Sequence, residues 1–275
     1  MTSTDVYTRL FPAYDGGHFD LPPEVITARA AYDRLDALPV PAPVDYWEVR
    51  QDLIAATMEA ALSGADHLPD CSGIDDARRA AQVHTDTHDV RRETLDALKA
   101  RVLSSVNPAE VLSKHLAPAH DETVRELRNA WQLVDAHYAK GGSQFAMPKA
   151  TATAAQSVDG LIVRYEAIRF ARGDLAIRCH YQPEVDVDGE FAMISNPEQL
   201  WTKPQHNNIR SSTPPWHGMD TTARLRYLFA NGGKVWLPTP AEQDGRYRTV
   251  YAQEMAQAAE QSERERVFAT NNAGA

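Results

Sequence analysis

From Ser72 to Gly142 apolar and small side chains recur mostly every three or four residues and occasionally five, a spacing that a helix turns into a continuous face. The first stripe runs Ala80, Val83, Thr87, Val90, Leu95, Leu98, Val102, Val106, and the second Leu112, Leu116, Val124, Leu127, Trp131, Val134, Tyr138. Asn107-Pro108 divides them, because proline has no N–H to donate and crowds the preceding turn. Asn107 suits an N-cap, Pro108 the first helical position, and Glu110 can reach back to the cap. Ser72 reads as the cap of the first helix, with Asp75 three residues on. Pro118 should kink or split the second helix near Ala117, and Gly141-Gly142 should end it. So short a connection predicts an antiparallel pair, stripe against stripe. The expected fold is therefore mainly α: a helical bundle built on a long antiparallel helix pair, with a small α+β C-terminal region.

The rest of the chain arranges itself around that pair. Residues 1–22 hold Pro12 and Gly16-Gly17, which exclude a long element, and scattered aromatics (Tyr7, Phe11, Tyr14, Phe19). They read as an extended N-terminal arm lying on its own domain or on a neighbouring subunit. A helical domain over 23–172 follows. Its first helix opens at Pro23 and carries Val25, Ala28, Tyr32 and Leu35. The Pro39–Pro43 run is a stiff connector. Asp45 caps a helix to about Leu62 with Val49, Leu53, Ala56 (or Thr57) and Ala60 as its face. The domain's last helix, Ala152 to Arg172, stops at Gly173-Asp174.

Residues 173–248 read as the small α+β region. Leu175, Ile177, Cys179 and Tyr181 alternate with Ala176, Arg178 and His180, Val185 and Val187 do likewise, and Asp188-Gly189 is a tight-turn signal before Phe191–Ile194. Lys234–Leu237 is another strand candidate, and Asp220 caps a helix to Ala230. Asn196–Gly218 is irregular, and residues 249–275 form a C-terminal helix and tail with few large apolar positions.

Composition narrows the function classes. No apolar run approaches the length of a membrane span. The N-terminus lacks the basic and apolar segments of a secretory signal. Cys71 and Cys179 lie far apart, so no disulfide framework is expected, and a cytoplasmic location (or an assembled particle) fits. Residues 1–100 hold 9 Lys+Arg against 18 Asp+Glu, a net charge of −9, which disfavours nucleic-acid backbone binding. Of the 28 basic residues 22 are Arg and 6 Lys, a bias that suits a GC-rich genome such as that of an actinobacterium or its phage.

The chemistry-bearing residues form no complete set. His84 and His88 are four apart on one helix, acceptable for two metal ligands, but Thr85 stands where a zinc peptidase would carry its glutamate. Glu184–Gly189 imitates the start of a calcium loop, yet Ser195 occupies the twelfth position. No phosphate-binding glycine loop, nucleophile elbow or Cys-x-x-Cys pair is present. No catalytic residue and no cofactor is assigned. The expected function is a non-catalytic, helical protein-binding or assembly component, specialised as a structural or accessory protein of an actinobacterial phage or mobile element. It would act by self-association or on a protein partner, without membrane or nucleic acid, and contact residues would be Phe11, Tyr14, Phe19, Trp201, Trp216 and Phe268. The alternatives are a metal-dependent hydrolase using His84 and His88, and a nucleic-acid accessory protein using Arg210, Arg224, Arg226, Arg246 and Arg248.

Overall fold

Proline and short acidic or amide side chains set where the helices begin. α1 spans Leu10–Asp15, α2 Pro23–Asp36, α3 Tyr46–Leu62 and α4 Ser72–Ser105. α5 (Pro108–Glu110) passes through a π-helical turn, Val111–Leu116, into α6 (Ala117–Ala139), and α7 covers Lys149–Arg178. α8 (Glu190–Met193), α9 (Pro197–Leu200), α10 (Thr221–Ala230) and a last helix over 240–249, α11, follow. This computed structural model describes residues 7–40, 42, 45–63, 67, 69–70, 72–178, 190–200, 214–249 and 260.

Three caps sit where the sequence puts them. Asp45 accepts the N–H groups of Trp47 (2.8 Å) and Glu48 (3.2 Å), Asn107 that of Glu110 (3.3 Å), and Asp220 that of Ala223 (2.8 Å). At α4 the role falls to Asp70 instead of Ser72: it accepts the Ser72 hydroxyl (2.6 Å) and N–H (3.0 Å), bonds that hold its carboxyl below the usual range. The break expected near Ala117 takes the form of a π-to-α change of register. Ala117 donates to the Leu112 carbonyl five residues back, and the widened turn relieves the crowding of Pro118 on the carbonyl four residues before it.

The chain divides into two compact units, one holding residues 23–106 and the other 7–22 with Asn107 onward. The two helices read as one antiparallel pair, α4 and α6, fall in different units. α4 packs with α2 and α3 in the first unit, whereas α6 packs with α7 in the second. The stripe read along α4 faces inward only in its second half: Val102 and Val106 are buried and Leu95 and Leu98 half-buried, but Val83, Thr87 and Val90 are exposed, and Ala77, outside the stripe, is buried. Half-buried His84, Arg91 and Leu95 share the helix side of Ala77 and Val102.

In the first unit α2 buries Val25, Ala28 and Tyr32. Its C-terminal carbonyls are satisfied from α4: Arg91 donates to the carbonyls of Asp36 (2.6 Å) and Leu35 (3.1 Å). The start of α3 meets α4 through Arg78, whose guanidinium lies 5.5 Å from the Tyr46 ring centroid and donates to its hydroxyl (3.3 Å).

The second unit is built on the α6–α7 hairpin. Val124, Leu127, Trp131, Tyr165 and Leu225 form one core, flanked by Val158, Leu161 and Ile162. Met193, Ile194, Trp216 and Leu228 form another. The N-terminal segment expected as an extended arm contains α1, which packs on α7 and buries Leu10, Phe11 and Ala13. α7 supplies α1's N-cap from a distance: the Asp174 carboxylate accepts the N–H groups of Arg9 (2.7 Å) and Leu10 (3.1 Å) and the Thr8 hydroxyl (3.3 Å).

Gly173 does not end α7, and residues 175–178 are helical rather than a strand. Residues 171–176 are buried without a break, as a helix enclosed on all sides allows and a half-buried alternating strand does not. The rest of the expected hairpin, 179–189, with both the Asp188-Gly189 turn and the calcium-loop imitation, lies outside the described residues. Among the described residues there is no strand. Ile194 and Val235 form one isolated antiparallel bridge, supported by Ser195 N–H to Lys234 O (2.9 Å) and Trp236 N–H to Met193 O (3.1 Å). Nor is any described helix long and apolar enough to cross a membrane.

Candidate functional site

The histidines do not converge. His84 is half-buried on α4, while His88 is exposed with Nδ1 3.9 Å from Asp89. Among the described residues no group of three or more His, Cys, Asp or Glu side chains is placed to hold a metal ion. Two imidazoles one turn apart leave a tetrahedral site half made. His137 bonds to the Ser143 carbonyl (3.0 Å) at the end of α6. His115 lines an open pocket of about 480 Å³ with Lys114, Asp121, Glu122, Arg125 and Arg164. Two of its cations are already paired: Lys114 with Glu110 at 2.8 Å, and Arg164 with Glu122 at 3.3 Å.

His120 is different, being fully buried on α6 with its ring 5.4 Å from that of Tyr165. With its proton on Nδ1 it donates to Asp121 (3.2 Å), which leaves Nε2 without a partner; the Tyr165 hydroxyl is buried and unpartnered too. Burial lowers the His120 pKa, the contact with Asp121 opposes that, and Arg169 adds to the lowering. The ring is thus held neutral inside the second unit's core.

Burial reassigns the expected contact aromatics. Phe11, Phe19 and Trp216 are interior side chains, and Tyr14 is half-buried. Trp216 belongs to the core around Ile194 and Leu228, and Phe11 packs edge-on to Tyr7 at 5.7 Å. Trp201 and Phe268 lie outside the described residues. Three of the arginines considered for nucleic acid are engaged within the chain: Arg224 with the Met219 carbonyl (2.9 Å), Arg226 with Asp135 and Arg246 with Glu198.

Of the fourteen large apolar side chains exposed among the described residues, four lie on α3. This helix of 17 residues buries none of its side chains. Val49, Leu53, Thr57 and Ala60 are half-buried, Thr57 rather than Ala56 completing the face, but Trp47 (62% exposed), Ile54 (41%), Met58 (61%) and Leu62 (86%) stand in solvent. Their spacing of seven, four and four keeps them within about 80° of arc at roughly 100° per residue. Along the axis they cover about 22 Å at 1.5 Å per residue. No family model, curated protein or solved structure matches the chain. Its own surface is what carries the functional argument, and that surface is an apolar ridge four helical turns long.

The ridge was legible as a second stripe, 47-54-58-62, alongside the stripe assigned to packing. It is missed when a helix is allowed only one apolar face. A helix with two has a neighbour on one side and a vacancy for another on the second.

Proposed function

We propose that this protein is a non-catalytic, helical protein-binding or assembly component, and that α3 is its contact element. The single observation that supports this reading is the exposed row Trp47, Ile54, Met58 and Leu62 on a helix with no buried side chain. Leaving such groups in water is unfavourable by roughly 25 cal/mol per Å² of apolar surface, and isolated folded chains rarely expose large contiguous patches. Trp and Met are residue types favoured at protein contacts, where they bury much area.

The experiment compares the native chain with Met58→Lys, which adds charge to an exposed position. Light scattering over a concentration range reads self-association. Retention of proteins by each immobilised form, from an extract of the encoding organism, reads hetero-association. Association weakened by Met58→Lys is the expected result. A strict monomer whose retained proteins are the same for both forms sinks the reading.

A further inference from the structure

We infer that the outer face of α3 receives an amphipathic partner helix whose apolar stripe is bordered by lysine or arginine. The inference rests on the protein-binding reading above and specifies the partner's chemistry.

The two edges of the ridge differ. Glu48, Asp52 and Glu59 project along one edge, all exposed, and no ion pair among the described residues engages them. Arg50 lies on the other edge, its guanidinium 5.1 Å from the centroid of the Trp47 ring. The ridge is therefore anionic on one side and carries a single cation, already stacked on its own tryptophan, on the other.

A second copy of the chain fits this poorly. In an antiparallel self-pair each edge meets its own equivalent, so the three carboxylates of one helix would face the three of the other. In a parallel pair they would meet one Arg50. A partner helix with a cationic edge neutralises all three while burying Trp47, Ile54, Met58 and Leu62, using anchors spaced at helical intervals. Charges at such a rim govern partner choice and association rate more than total affinity. The same carboxylates repel an anionic lipid surface.

The test uses the full chain and two fluorescent synthetic helices of α3's length with the same leucine stripe, one edged with Lys and Arg and one with Glu, followed by anisotropy. The cationic peptide should bind at least about tenfold tighter than the anionic one, with the gap narrowing as salt is added. The triple variant Glu48→Gln, Asp52→Asn, Glu59→Gln should erase the gap, and Ile54→Lys should abolish binding of both. Circular dichroism confirms that the variants are folded. Equal affinity for the two peptides overturns the inference, as does cationic-peptide binding that Ile54→Lys leaves intact. A homodimer dissolved by Ile54→Lys also overturns it, but leaves the protein-binding reading standing with a second copy as occupant. No peptide binding together with no ridge-dependent association ends both.

Discussion

Replacing Asp174 by Ala tests the claim that α7 caps α1 across 164 or more residues of sequence. The carboxylate accepts three hydrogen bonds, two from the backbone N–H groups of Arg9 and Leu10 that α1 cannot satisfy itself. A hydrogen bond to a charged group contributes about 1.5–3 kcal/mol, and loss of an N-cap costs about 0.5–2. The 3.3 Å bond from Thr8 adds little. The expected loss is about 2–4 kcal/mol, the upper end applying if the Leu10 amide stays dry. Opposing undocking, Tyr7, Leu10 and Phe11 are buried side chains whose interior placement is favourable by about 1.5–3 kcal/mol each. Burial wins, so α1 should stay docked with a frayed first turn. Urea denaturation measures the loss, and amide hydrogen exchange locates it. Protection should vanish at Arg9 and Leu10 while the amide of Gly16, bonded to the Pro12 carbonyl, keeps it. Asp174→Asn retains an oxygen acceptor and should lose about half as much. If Asp174→Ala left stability unchanged, or left the Arg9 and Leu10 amides protected, the capping argument would be refuted.

Other expectations follow from single side chains. Burial puts the folded-state His120 pKa below the ordinary 6.5, so as pH falls the unfolded chain takes the proton first. Its stabilising contribution is complete above that value and is lost below it, by up to about 1.4 kcal/mol per pH unit, until the folded ring itself protonates. His18, lowered by burial and then by Arg164, moves the same way, so the native-minus-His120→Leu difference across pH isolates His120; parallel curves would contradict the assignment. Tyr165→Phe deletes a buried hydroxyl with no partner and should raise the unfolding midpoint, by about 1 kcal/mol in stability. Gly160 is exposed within α7 with open space around its missing Cβ, so Gly160→Ala should stabilise by about 0.5–1 kcal/mol in a thermal melt.

Local chemistry was the legible part of this chain. Asp45, Asn107 and Asp220 cap helices where their spacing to the following residues indicates, since a cap is decided within four positions. Which stripe meets which is decided elsewhere. A 34-residue helix such as α4 can carry more than one row of apolar residues, and Val83 and Val90 belong to the row that faces water. Over the first half of the helix, periodicity alone could not choose between that row and the inward one containing Ala77, His84 and Arg91. The same limit explains Gly173. Its helix cost of about 1 kcal/mol is offset by bonds to residues far away in sequence, from Asp174 to residues 8–10 and from Arg172 to the Pro238 carbonyl (2.7 Å).

The misplaced contact residues have a related cause, and it bears on the function. Phe11, Phe19 and Trp216 draw notice because they sit beside glycines and prolines, where sequence suggests a loop and a loop suggests exposure. Folding covers all three, because short helices and turns still have an inner side: α1, which carries Phe11, packs on α7, and Trp216 packs with Met193, Ile194 and Leu228. α3 shows the converse. Its regular, well-capped sequence suggests an ordinary packing helix, yet one apolar face is half-covered by its own unit and the other is exposed among the described residues. Exposure here follows from geometry, since a single neighbouring helix can cover only one side of a helix that is apolar on two. If charge on Met58 leaves association untouched, that second face is merely tolerated by the fold, and the reason for a protein-binding role goes with it.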